Sequence, residues 1–226
     1  MILPERNKVE ELKIEEKDRE IRERILGGSE ELFLRYGFKS ITMDEIARHL
    51  GVSKKTLYQQ FKDKDEVVYQ VVSRHFDCEK SMAYEMMEQA ENPVHEFFIE
   101  AQQLKITLNG IHPNAIFELK KYHSKAWHIF HEHKEKWMIE LLLKNLKKGI
   151  EQGLYREDII PEVLVRLRME QVILAFDPQV FPPNRFDMKT IQVQFIEHFI
   201  QGILTDKGRE IFNHYQQKQT KNEKNF

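Results

Sequence analysis

The chain has 226 residues, 41% hydrophobic and 32% charged, with a formal net charge of −2; that length supports a real buried core and the composition is that of an ordinary globular protein. No apolar run approaches the ~20 residues that span a bilayer, and Met1 to Leu12 is charged where a signal peptide is apolar, so a cytoplasmic protein with no membrane partner is expected. The single cysteine, Cys78, excludes an internal disulfide.

Strand signals are nearly absent, and glycines and prolines sit between long helical patterns. Residues 1 to about 17 are charged and mixed in sign, which allows either a frayed arm or an early extension of the first helix. Ile21, Ile25, Leu32, Phe33 and Tyr36 recur at helical spacing and predict a helix from about Asp18 to Tyr36, closed by Gly37. Gly27-Gly28 within it reads as close helix packing, with a local kink as the alternative. Two short helices follow within 42–61. A long helix is expected from near Asp63 toward Ala90, and another from Pro93 to about Leu108, stopping at Asn109-Gly110. After a short segment beyond Pro113, a long helix runs from about Ser124 to Gln152 and ends at Gly153. Helices from Pro161 to about Phe176 and from Asp187 to Leu204 flank a proline-rich loop. A last piece from Lys207 to about Gln217 fades into a polar tail. The expected fold is all-α, about nine or ten helices, with a small N-terminal unit and a larger C-terminal one.

The stretch Ile41 to Phe61, ITMDEIARHLGVSKKTLYQQF, carries the functional signal. Thr42 and Glu45 have capping-box spacing, so a helix starts at Met43. Ile46 and Leu50 point to a core, and small Ala47 admits a crossing helix. Gly51 tolerates a positive-φ turn, Val52 plugs it, and Ser53 caps a second helix held inward by Leu57 and Phe61. This is a helix-turn-helix, whose second helix would lie in the major groove. Its outward residues are Lys54, Lys55, Thr56, Tyr58, Gln59 and Gln60. Lysine and glutamine suit base edges; tyrosine, threonine and further lysines suit phosphates. Asp63 and Glu66 repeat the capping spacing, with Lys62 and Lys64 placed as a second phosphate clamp. The net charge argues against nucleic acid at first. Locally, six basic residues between Lys39 and Lys64 face three acidic ones, and the local face is what phosphate meets.

Residues from about Asp18 to Val72 resemble the TetR family of transcriptional regulators. The matching pieces are Ile25-Leu26, Leu32-Phe33, Tyr36-Gly37, Thr42 to Ala47, Leu50 to Ser53, Thr56-Leu57-Tyr58, Phe61 and Lys64-Asp65-Glu66. The resemblance implies a DNA-binding domain over 18–64 and an effector-binding and dimerisation domain over 65–226. It places Thr42, Tyr58 and Lys64 at phosphates, and Lys54, Lys55 and Gln59 at bases or nearby phosphates. Gly28 departs from the family's alanine, Lys55 from a small residue, and Gln59-Gln60 from an aromatic and basic pair, which leaves the operator sequence open. The resemblance implies a homodimer on a palindromic double-stranded operator, its two recognition helices about one DNA turn apart, ~34–36 Å. Repression relieved by a small-molecule effector is the family expectation; activation and a helical adaptor without DNA binding are the alternatives.

In the C-terminal part, Phe117, Tyr122, Trp127 and Phe130 are candidate walls of an effector pocket, against the alternative that they are ordinary core. His128 and His131 share a helical face, but no cysteine or carboxylate completes a metal set, so no metal or cofactor is expected. Apolar residues after Pro161 (Val163, Leu164, Leu167, Val172, Ile173, Leu174) and the stripe Ile191, Phe195, Ile196, Phe199, Ile200 and Ile203 could pair with two-fold mates as a four-helix bundle. No nucleophile–base pair or glycine-rich phosphate loop points to an enzyme.

Overall fold

The computed structural model describes residues 4–108 and 111–223. Among them the regular elements are all helical, apart from one isolated antiparallel bridge between Tyr155 and Leu204. In chain order the helices are α1 (Pro4–Tyr36), α2 (Met43–Leu50), α3 (Lys54–Gln60), α4 (Lys64–Gln89), α5 (Pro93–Thr107), α6 (Ala115–Tyr122), α7 (Ser124–Glu132), α8 (Ile139–Glu151), α9 (Pro161–Leu174), α10 (Met188–Ile203) and α11 (Asp206–Glu223). A π-helical stretch, His133–Met138, joins α7 to α8, so these form the single long rod that the sequence predicts, ended by Gly153 at φ +67°. The Asn109-Gly110 pair lies outside the described residues; Leu108 caps α5.

Both ends are more helical than the pattern suggests. Helix α1 starts at Pro4, so residues 4–17 extend it; glutamate, lysine and leucine favour helix even without an apolar stripe. Helix α11 continues to Glu223. Its polar sequence hides two anchors, Phe212 and Tyr215, both buried. The Tyr215 ring stacks on His95 at 4.3 Å, and its hydroxyl donates to Glu91 at 2.9 Å.

The buried residues form two main clusters. One contains Ile25, Phe33, Ile46, Leu57, Val67, Val71, Leu119 and Phe130, and so unites α1–α4 with α6 and α7. The other contains Val94, Phe97, Leu146, Tyr155, Ile196 and Ile200. The α10 stripe expected to meet a partner is turned into its own subunit: Ile191, Ile196, Phe199, Ile200 and Ile203 are buried there, and Phe195 packs on Phe181. The reason is that α5 lies against it.

Two glycines are set by contact. A Cβ on Gly28 would lie 2.3 Å from Leu50 Cδ2, so α1 and α2 cross closely there while α1 runs on unbroken. A Cβ on Gly149 would lie 2.0 Å from the ring of fully buried Tyr155. That ring cannot swing away, because its hydroxyl donates to Asn145 Oδ1 at 3.0 Å while the Asn145 amide donates to the Pro93 carbonyl at 3.0 Å and to Glu96 at 2.6 Å. Gly149→Ala is therefore expected to lower stability by ~1–3 kcal/mol, overpacking outweighing the helix-propensity gain of about 1 kcal/mol. Chemical denaturation measures it, and an unchanged or raised midpoint refutes the contact.

Helices α1 and α4 are further joined by Glu30 and His75 at 2.8 Å. The hydrogen bond to the Glu30 carboxylate holds the His75 pKa above its ordinary 6.5, against the opposing effect of burial. The folded state therefore binds this proton more tightly than the unfolded chain. The contribution is complete below about pH 6.5 and is lost as pH rises through the raised folded value. Urea unfolding of the wild type and His75→Gln should show a stability difference that shrinks as pH rises above about 6.5; parallel profiles would contradict it.

Candidate nucleic-acid interface and ligand cavity

Helices α2 and α3 are short and are held by their caps. The Thr42 hydroxyl oxygen accepts from the Glu45 amide at 3.2 Å, and the Glu45 carboxylate accepts from the Thr42 amide at 2.7 Å. Gly51 ends α2 at φ +63°. Ser53 Oγ accepts from the Thr56 amide at 3.0 Å, and Asp63 Oδ1 from the Glu66 amide at 2.9 Å, starting α3 and α4. Two arginines of α1 complete the frame. Arg24 donates to the Leu50 carbonyl at the end of α2, and Arg22 donates to the Gln60 carbonyl at the end of α3. A cation suits the carbonyl end of a helix on both hydrogen-bonding and dipole grounds. The Arg22 guanidinium also lies over Phe61, 4.3 Å from the ring centre. These clamps have no local motif, which is why the sequence pattern does not disclose them.

Thr42, Lys54, Lys55, Tyr58, Gln59 and Lys62 are exposed; Thr56, Gln60 and Lys64 are half-buried. They differ in what they are already bound to. Lys54 pairs with Asp44 at 2.6 Å. The Thr56 hydroxyl is shared with Ser53 at 2.8 Å. Lys64 donates to the Lys39 carbonyl at 3.3 Å, and burial holds its pKa below the ordinary value against Glu118, Asp65 and Glu45. Among the described residues, no hydrogen bond or ion pair occupies the side chains of Lys55, Tyr58, Gln59 and Lys62.

Behind this unit lies a cavity of about 340 Å³. Its walls come from α1, α4 to α6, the α7–α8 rod, α9 and α10, and include Phe33, Val71, Phe76, Phe97, Trp137 and five methionines. Of the four expected aromatic walls, only Phe130 lines it. Phe117 and Tyr122 are exposed, because α6 turns Ala115, Ile116 and Leu119 inward instead. Trp127 is half-buried against Phe130, ring centres 5.0 Å apart, outside the cavity wall. His128 and His131 are exposed, His128 lying 3.8 Å from Glu132. The charged wall residues Glu79, Glu100 and Arg168 escape a motif search, since they are single polar positions in otherwise apolar helix faces.

The cavity and the DNA-facing unit touch at the start of α4. Asp65 and His123 are 2.7 Å apart, and His123 is buried. Burial lowers the His123 pKa, outweighing Asp65. From α6, Glu118 accepts from the Lys39 amide at 2.8 Å. The Lys39 peptide is thus held by α6 through its N–H and by α4 through its carbonyl.

Residues 25–71 match the family model for bacterial regulatory proteins of the tetR family. An uncharacterised HTH-type transcriptional regulator of Bacillus subtilis, YvaF, is 30% identical over 189 residues, covering 81% of this chain and 96% of that protein. A TetR-family regulator structure from Agrobacterium tumefaciens superposes with a TM-score of 0.70 at 14% identity, over 83% of this chain and all of that one. A regulator from Saccharomonospora viridis, solved in complex with choline, gives a TM-score of 0.65 at 17% identity, over 83% and 99% of the two chains. Helix-turn-helix geometry, family model and near full-length relative agree: this chain belongs to the TetR family of transcriptional regulators.

Proposed function

We propose that this protein is a ligand-responsive repressor that binds a palindromic operator as a homodimer and leaves it when a small molecule enters the cavity. The observation that carries this reading is shared structure. Phe33, Val71, Val72 and Phe130 line the cavity and belong to the same buried cluster as Ile46 of α2 and Leu57 of α3. A molecule that changes the packing of those walls changes the seat of the recognition helix. A bistable core transmits such a change further than a soft one, and the effector shifts DNA affinity only as far as it prefers the non-binding arrangement. That a regulator of similar fold was solved in complex with choline supports a small-molecule effector.

The DNA face is α3 with its flanks. Lys55, Tyr58, Gln59 and Lys62 lead, since their side chains are not engaged within the subunit. Thr42 caps α2 and Thr56 is bonded to the α3 cap Ser53, while Lys54 and Lys64 leave internal partners to reach phosphate. On DNA selected by the protein from a random pool, Lys62→Ala should weaken binding evenly across sequences and lower the salt slope by about one. Gln59→Ala should change which sequence is selected. Unaltered affinity and selection in both variants would sink the assignment.

The homodimer surface we assign is the outer face of α9 with the residue before it. Ile160, Val163 and Leu167 are 62%, 58% and 52% exposed, and Leu174 continues the row. An apolar row of this kind on a helix suits a two-fold mate. Val163→Glu with Leu167→Glu should turn a dimer into a folded monomer in sedimentation; a variant that stays dimeric, or a monomeric wild type at micromolar concentration, refutes this face.

A further inference from the structure

The cavity wall is apolar over most of its area, yet Glu30, Glu79, Glu96 and Glu100 all reach it, against one guanidinium, Arg168, and one imidazole, His75. Two of these carboxylates are engaged by close partners. Glu30 hydrogen-bonds His75 at 2.8 Å, and Glu96 accepts from the Asn145 amide at 2.6 Å with Lys148 at 3.7 Å. Glu79 and Glu100 are held only loosely. Glu100 lies 3.8 Å from Arg168 and Glu79 lies 3.5 Å from His133, with 48% and 37% of their side-chain surfaces open. Both carboxylates line the cavity. Burial pushes the Glu100 carboxyl pKa up, Glu79 adds to the rise, and Arg168 opposes it. On the same wall Arg168 and Gln192, each 2% exposed, leave Nη1 and Oε1 without hydrogen-bond partners in the chain.

Building on the effector reading above, we propose that the cavity selects an apolar molecule bearing a cationic amine, with the charge at Glu79 and Glu100. The charge balance decides the sign. One guanidinium faces two loosely held carboxylates, and an anion approaching Arg168 would meet Glu100 as well. A like charge in an apolar site is strongly disfavoured, whereas a cation gains from both carboxylates at reduced dielectric. The aromatic rings of Phe76, Phe97 and Trp137 on the same wall offer a surface for the apolar part and groups able to attract a cation. The wall methionines let one site fit several shapes, since an unbranched thioether repacks readily. The polar groups are few and convergent within an apolar wall, as small-molecule sites require.

A matched series tests this: a phenylbutyl trimethylammonium ion, phenylbutanol and phenylbutyrate, each titrated into the full chain by calorimetry. The ammonium should bind at least about tenfold more tightly than the alcohol, and the carboxylate least. In the Glu79→Gln, Glu100→Gln double variant the ammonium should fall to within about twofold of the alcohol, with alcohol binding kept as the sign of an intact cavity. If the double variant loses alcohol binding too, the single variants are read on the same ratio. Wild-type binding that is equal for ammonium and alcohol, or tightest for the carboxylate, overturns the proposal while leaving the cavity an effector site. Binding of none of the three up to millimolar concentration removes the effector reading with it.

Discussion

Val67, Val68, Val71 and Val72, the buried residues of the first turns of α4, belong to one cluster with Phe33 of α1, Ile46 of α2, Leu57 of α3, Leu119 of α6 and Phe130 of α7. The DNA-facing helices have no separate core. A valine side chain removed from water contributes ~1.5–3 kcal/mol, so the start of α4 is a major share of what holds the recognition helix in place. It is also a wall of the cavity through Val71 and Val72. One set of contacts therefore stabilises the fold and limits how far the N-terminal unit can shift.

The recognition helix itself is only seven residues long. A helix of that length is unstable alone, and its order is imposed from outside. Ser53 closes one end, Arg22 the other, and Leu57 anchors the middle. This separates two kinds of residue on a surface that looks uniformly polar. Thr42, Ser53 and Thr56 build the helices, while Lys55, Tyr58, Gln59 and Lys62 are left to face solvent. Lys54 and Lys64 stand between the two groups, each held by an internal partner, the Asp44 carboxylate and the Lys39 carbonyl.

The parts legible in the sequence are those dictated by local rules. Caps at Thr42, Ser53 and Asp63, the Gly51 turn and the periodic apolar residues of α2 to α4 follow from spacing alone. Contacts between segments distant in sequence did not. Arg22 meeting Gln60, Asp65 meeting His123 and Asn145 bridging to Glu96 leave no periodic trace. The aromatic-rich stretch 117–137 illustrates the limit. Aromatic content suggested a pocket, but which ring faces inward depends on the rotation of α6 and of the rod after it, and Phe117 and Tyr122 fall on the outer side. The inward α10 stripe has the same origin: an apolar face says that something covers it, not whether the cover is α5 or another subunit. At the chain ends the reverse holds, and a low apolar content concealed helix that two anchors in α11 were enough to dock.

The π-helical stretch His133–Met138 sets how this chain tolerates changes of length. A π turn accommodates a residue more than an α turn, so deleting one residue there would let the stretch close to α-helix with the two halves nearly in phase, whereas a residue added or lost in the α parts of the rod would rotate everything after it by about 100°. Phe130 before the stretch and Leu142 and Asn145 after it all reach the cavity. They could not do so together after such a rotation. The stretch thus acts as a phase adjuster between two halves of one rod: losing its extra residue leaves that phase nearly alone, whereas a single-residue insertion or deletion in the α-helical parts would re-aim the cavity's far wall.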